Sequence, residues 1–265
     1  MRGFRAITLV MLFTAPASAL DDVKLQPNQV LRFEFPDLPD TLATMESGRR
    51  EPARLTAQLP DNYSRDGTFP VFVFLSGGAG GRGDALFLDR DKTIGSRDFV
   101  MVNMPLFKRI HRPENNPGVT IDDFEILSRS YRTMLTRLFD AITNTTEARS
   151  VFGGFSNGAH ATALLVAGQD DFILRHFRAF YFVEGGYGLV VNALGKPALK
   201  SCRFLWMRGD HHDAARNGYA RVMHAIEQIA HETNLDFTSV VMLDTGHAFP
   251  AKYQAFLGQW VREIR

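Results

Sequence analysis

The feature that most constrains this chain is a set of short apolar runs without polar alternation, among them "VFVFL" at 71–75 and "FRAFYFV" at 177–183. A strand with one wet face alternates apolar and polar residues. Runs that stay apolar belong in strands covered by helices on both faces. Segments of helical period separate these runs, so the chain reads as an α/β fold with a mostly parallel central sheet of about eight strands. Strands are predicted at 31–35, 54–59, 71–75, 99–103, 151–155, 179–184, 203–208 and 237–243. The first two alternate more than the rest, as an antiparallel edge would. Helices are predicted at 123–142, 157–168, 214–232 and 250–264, the last with Pro250 near its first turn.

With 265 residues the chain can bury a large core. No internal repeat or low-complexity linker divides it, so one domain is expected over 20–265. Thirty basic residues face 29 acidic ones, for a net charge of +1. That balance gives no electrostatic reason to expect nucleic acid or an anionic membrane as partner. The opening "MRGFRAITLVMLFTAPASALDD" has Arg2 and Arg5, an apolar stretch, and Ala17-Ser18-Ala19 as a small-residue cleavage site. The apolar stretch is shorter than the roughly 20 residues needed to span a bilayer. Residues 1–19 are therefore read as a signal peptide, and the mature chain as secreted or periplasmic, with no membrane attachment after cleavage. The single cysteine, Cys202, cannot form an internal disulfide and suits a small core position at a strand start.

Within "SVFGGFSNGAH" at 150–160 lies Gly154-Phe155-Ser156-Asn157-Gly158, a G-x-S-x-G sequence. The pentapeptide alone is common. Here a predicted strand runs directly into it and an Ala-rich helical segment follows. Such a turn holds the serine in a strained conformation at the sheet edge, and the flanking glycines avoid side-chain collisions. A serine hydroxyl becomes a useful nucleophile when a base takes its proton and a third group orients that base. His247 fits the base: it follows an apolar strand and precedes the proline of a helix start. His160, His224 and His231 fall within predicted helices, where packing or surface roles suit them.

The acid is expected after the strand "CRFLWMRG", where the chain reads Gly209-Asp210-His211-His212-Asp213. Asp213, deeper in the loop, is the first choice and Asp210 the alternative. The same cluster admits a metal reading, although adjacent histidines rarely converge on one ion. The strand at 71–75 ends in Ser76-Gly77-Gly78-Ala79-Gly80-Gly81, whose backbone N–H groups at Gly77 or Gly78 can join that of Asn157 as oxyanion donors. It lacks the Gly-Lys-Ser/Thr ending of a phosphate-binding loop.

Ser76 to Gly81, Gly154 to Gly158, Asp213 and His247, in this order on this strand pattern, resemble the α/β-hydrolase fold over nearly all of 20–265. The stretch "GGFSNGAH" and the lack of an insertion for a large lid domain look most like exported esterases grouped with polyhydroxybutyrate depolymerases, feruloyl esterases and the esterase D type. Two departures stand out: Ser76 takes the place usual for histidine, and the Gly-Asp-His-His-Asp loop is unusual. The implied activity is hydrolysis of small-molecule or polymer-borne carboxylic esters through an acyl-enzyme. Ser156 would be the nucleophile, His247 the base and Asp213 the acid, with no cofactor. A serine peptidase or acyltransferase on the same fold is the alternative, as is a noncatalytic binding protein. Loops at 108–118 and 185–188, with Arg109, His111 and Tyr187, are expected to shape the substrate site.

Overall fold

A computed structural model of the chain describes residues 10–13, 24–38, 42–44, 52–78, 83, 88–109, 124–211 and 219–264. Its strands are β1 (Val10–Phe13), β2 (Val30–Phe35), β3 (Leu42–Thr44), β4 (Ala53–Gln58), β5 (Phe69–Leu75), β6 (Val100–Asn103), β7 (Phe107–Arg109), β8 (Thr145–Phe155), β9 (Ala179–Val183), β10 (Arg203–Gly209) and β11 (Asp236–Met242). The main sheet has the order β1-β2-β4-β6-β5-β8-β9-β10-β11. Strand β4 runs antiparallel to both β2 and β6, and the pairs from β6 through β11 are parallel. The two alternating strands, β2 and β4, thus pair antiparallel as predicted, but β1 and not β2 is the outermost strand. Strand β1 lies within the segment read as a signal peptide and pairs parallel to β2. A separate antiparallel pair, β3 and β7, includes the start of the loop predicted at 108–118. Residues 110–118 lie outside the described set.

The unbroken apolar runs are explained by two cores. On β5, Val71, Val73 and Leu75 face one cluster with Leu127, Tyr131 and Leu138 of α2 (Phe124–Ala141), Ala159 and Ala163 of α3 (Asn157–Ala167) and Ile226 of α6 (Tyr219–Thr233). Phe72 and Phe74 face the other, with Ile94 just past α1 (Arg90–Thr93) and Leu257, Trp260 and Val261 of α7 (Ala251–Arg262). Successive residues of a strand point to opposite faces, so both parities must be apolar here. Each fully buried Phe or Leu stabilises the fold by about 1.5–3 kcal/mol relative to exposure. Two short helices, α4 (Asp171–His176) and α5 (Tyr187–Val190), flank β9 in sequence. Among the described residues no helix is long and apolar enough to cross a membrane.

Strand β8 begins six residues before the apolar run that predicted it, because its first half, Thr145 to Ser150, is mostly polar and partly exposed. The register slips between Pro70 and Phe72, with Arg149 in the left-handed region at φ 67°. The Val71 N–H donates to Ser150 Oγ at 2.8 Å, so a side chain supplies a ladder bond that the slip removes. Cys202 is buried just before β10, as expected.

Helix α7 closes on α1 through Gly258, where a Cβ would lie 2.7 Å from the Thr93 carbonyl carbon. Gly258→Ala is expected to cost about 1–3 kcal/mol, as overpacked sites do. A urea titration should show a lower midpoint with an unchanged slope. An unchanged midpoint would mean that the helix pair relaxes without cost.

Candidate active site

The turn from β8 into α3 carries Ser156 at φ 53° and ψ −115°, a conformation rarely adopted by residues with a side chain. Its N–H donates to the Val183 carbonyl on β9 at 2.8 Å. The two glycines of the G-x-S-x-G sequence make this turn possible. A Cβ at either would collide with the Leu75 carbonyl on β5, and one at Gly154 would also lie 2.7 Å from the Gly158 carbonyl carbon. Strand, turn and helix therefore pack with no room for side chains at those positions. The serine stands at the C-terminal edge of the sheet, at the start of an eleven-residue helix.

His247 Nε2 lies 2.8 Å from Ser156 Oγ. The histidine is carried by the loop between β11 and α7, and Asp210 orders that loop: its two carboxylate oxygens accept the N–H groups of Asp244 at 3.0 Å and Thr245 at 2.9 Å. The Thr245 N–H above all, with smaller help from the Asp244 N–H and the charge of His211, holds the Asp210 carboxyl below the usual carboxylate range against the opposing effect of burial. The His211 N–H adds a bond to the Thr245 carbonyl at 3.0 Å. The Phe155 ring lies beside the imidazole at a centroid distance of 5.2 Å.

The Nδ1 side of His247 faces Glu184, whose Oε2 is 3.3 Å away. Glu184 directly follows β9, has a left-handed backbone at φ 55°, and is buried. Its N–H donates to Met207 O at 2.9 Å, and its Oε1 accepts the Gly209 N–H. With the proton on Nδ1, His247 donates to the carboxylate and its Nε2 accepts the serine O–H, a tautomer assigned from these partners. Asp213 and His212 lie outside the described residues. Asp210, the alternative acid, is turned to the backbone of the histidine loop. The carboxylate facing Nδ1 thus comes from the end of β9, one strand earlier than sequence reasoning placed it.

Of the expected oxyanion donors, Asn157 is the first residue of α3, where N–H groups have no intrahelical acceptor. Its side chain donates to the Gly78 carbonyl at 2.9 Å, tying the loop after β5 to the helix that follows Ser156. Gly78 is left-handed at φ 60°, and Gly77 approaches the serine so closely that a Cβ would lie 3.0 Å from Ser156 Cβ. Residues 79–82 lie outside the described set. So does His111. Arg109 ends β7 and Tyr187 begins α5, directly after the turn that follows Glu184. His224 and His231 are exposed on α6. For a metal, the described residues offer Asp210, His211 and Asp244, with ligand atoms within 4.8 Å of one another; all three are exposed.

No family model and no curated protein matches this chain by sequence. Solved structures do match. A feruloyl esterase module from Clostridium thermocellum, complexed with sinapinate, superposes with a TM-score of 0.56 at 15% identity, over 98% of this chain and 95% of that one. The fold is that of the α/β-hydrolases. An S-formylglutathione hydrolase from Agrobacterium tumefaciens has a TM-score of 0.53 at 11% identity, over 91% of this chain and 97% of the other. The Porphyromonas gingivalis dipeptidyl peptidase 4 has a TM-score of 0.58 at 13% identity, and the match spans 88% of this chain but 36% of that longer one. At these identities the α/β-hydrolase fold is what the likeness establishes. In it, the serine elbow at the end of β8 and the histidine loop after β11 meet at one sheet edge.

His160 lies one helical turn beyond Ser156, and its Nδ1 accepts the Gly186 N–H at 3.2 Å. Burial, with a smaller contribution from the charge of His247, pushes its pKa below the usual 6.5. The unfolded chain then takes up this proton first. The stability is complete above pH 6.5 and is lost as the pH falls through the lower folded value. Between pH 7 and pH 5 the melting temperature of the wild type should therefore fall more steeply than that of His160→Asn. Equal slopes would place the acid sensitivity elsewhere.

Proposed function

We propose that the protein is a serine hydrolase that cleaves carboxylic esters through an acyl-enzyme. The observation that carries this reading is the 2.8 Å approach of His247 Nε2 to Ser156 Oγ, on a serine held at φ 53°. In this scheme Ser156 Oγ attacks the ester carbonyl carbon while His247 Nε2 takes its proton. The tetrahedral intermediate collapses, the C–O bond to the alcohol breaks, and His247 returns the proton to the leaving oxygen. Water then enters, loses a proton to His247 and attacks the acyl carbon; the bond to Ser156 Oγ breaks, His247 returns the proton to that oxygen, and the acid is released. Glu184 is the acid of the triad in place of Asp213: it holds the Nδ1–H tautomer and stabilises the imidazolium. The N–H groups of Asn157 and Gly78, with Gly77 beside them, are the proposed oxyanion donors. The chemistry calls for no cofactor.

Segment 1–19 is proposed as a signal peptide that directs the protein to the periplasm or the medium. Its removal would take β1 with it and leave β2 as the edge of an eight-stranded sheet. A peptidase reading uses the same atoms and draws on the likeness to dipeptidyl peptidase 4. A screen of p-nitrophenyl esters, feruloyl esters, polyhydroxybutyrate and a dipeptidyl amide separates the two, and turnover of the amide alone would favour the peptidase.

Ser156→Ala and His247→Ala should each lower kcat by roughly 10⁴ to 10⁶-fold, and the double variant should add little, because such residues act as a unit. Ser156→Ala should also abolish labelling by a fluorophosphonate probe; wild-type turnover in that variant would remove the nucleophile assignment.

Glu184→Gln should lower kcat by about 10⁴-fold, since an amide facing Nδ1 favours the wrong tautomer. Asp213→Asn should stay close to wild type. If the two results are exchanged, the acid lies after β10 while the serine–histidine pair stands.

A further inference from the structure

We propose that His160 is a positioning residue that ties the turn bearing Glu184 to the helix bearing Ser156. This inference rests on the role given above to Glu184. Residues four apart on a helix share a face. His160 therefore projects from α3 on the same side as Ser156, and its N–H donates to the Ser156 carbonyl at 3.0 Å in the first turn. From this face its imidazole Nδ1 receives the Gly186 N–H at 3.2 Å.

The segment that it holds is unusual. Glu184 and Gly186 both have left-handed backbones, at φ 55° and 80°. Gly186 adopts this conformation freely, but for Glu184 it persists only where neighbouring contacts hold it. The turn lies directly on the start of α3: a Cβ at Gly185 would come 2.5 Å from the Ser156 carbonyl oxygen, and one at Gly186 would come 2.8 Å from that of Ala159. Van der Waals contact presses the turn against the helix, but contact alone does not stop it sliding along the helix. The bond from Gly186 to His160 fixes the turn two residues beyond Glu184. The bond from Gly209 fixes the carboxylate at its other end. An acid displaced by a fraction of an ångström no longer meets His247 Nδ1, and misplacements of about 1 Å cost about 10²-fold in rate.

The acceptor at Nδ1 must be an unprotonated nitrogen. Burial and the charge of His247 both disfavour the imidazolium at this position, so the lone pair stays available to Gly186. Histidine also suits the site by shape: its ring places an acceptor close to the helix, where a longer side chain would overshoot.

The test is a double-mutant cycle between positions 160 and 184 with the ester that gives the highest turnover. His160→Ala should lower kcat by about 10 to 100-fold with little change in KM, a loss of positioning rather than of binding. His160→Asn, whose amide oxygen can occupy the place of Nδ1, should recover most of that kcat, and His160→Gln should not. In the Glu184→Gln background His160→Ala should have no further effect on the residual rate, because the group it positions is gone. Circular dichroism and thermal melting establish that each variant is folded. If His160→Ala does not fold, the Asn and Gln variants carry the comparison. The proposal is overturned if His160→Ala keeps its kcat, if Asn and Gln variants are equally impaired, or if the losses at 160 and 184 are additive. Glu184→Gln with wild-type turnover would instead overturn the acid assignment.

Discussion

The site depends on one buried carboxylate. The side chain of Glu184 is 1% exposed, and an ion so far from water is stable only where polar groups surround it. One oxygen receives the Gly209 N–H from the end of β10, and the other faces the His247 imidazole from the loop after β11. A single charged group therefore brings the ends of three neighbouring parallel strands to one point. Asp210 extends the arrangement by binding the backbone of the histidine loop, so the imidazole is held both at its ring and through its main chain.

On the other side of the serine the constraint is steric. Gly154 and Gly158 let the end of β8 and the start of α3 close on the Leu75 carbonyl, and the same compactness brings Gly77 against Ser156. The Asn157 side chain then ties the Gly78 carbonyl to the helix that follows Ser156. Core packing and site geometry are continuous here: the β5 residues that bury Val73 and Leu75 in one core and Phe74 in the other also fix the loop beside the serine.

Much of this was legible in the sequence. The strand predictions agree with the structure to within one or two residues for most strands, because burial on both faces left apolar runs with sharp ends. The exceptions are the polar first half of β8, which has no such signature, and the short strands β1, β3 and β7, which were not predicted. Ser156 and His247 could be found because each lies where a strand gives way to a helix or loop at the same sheet edge. Glu184 was missed because it ends an apolar run and reads as the last residue of a strand; the predicted strand at 179–184 absorbed it. A signal was present: a charged residue closing a wholly buried strand needs a partner, and the two glycines after it mark a tight turn. The sequence after β10 carries two aspartates close to a strand end, which fit the pattern of an acid as well as Glu184 does. Asp213 itself lies outside the described residues, while Asp210 serves the backbone of the histidine loop.

Supplying the carboxylate from the end of β9 also changes what the chain can become. A residue wedged between neighbouring strands and a helix can hardly be moved, so the position of this charge is frozen along with the core. Under the role proposed for Glu184, the sequence beyond Asp210 is relieved of that duty. With Glu184 in the proposed role, the sequence at 212–218 can vary without disturbing proton transfer, so this stretch is able to change while the position of the charge stays fixed.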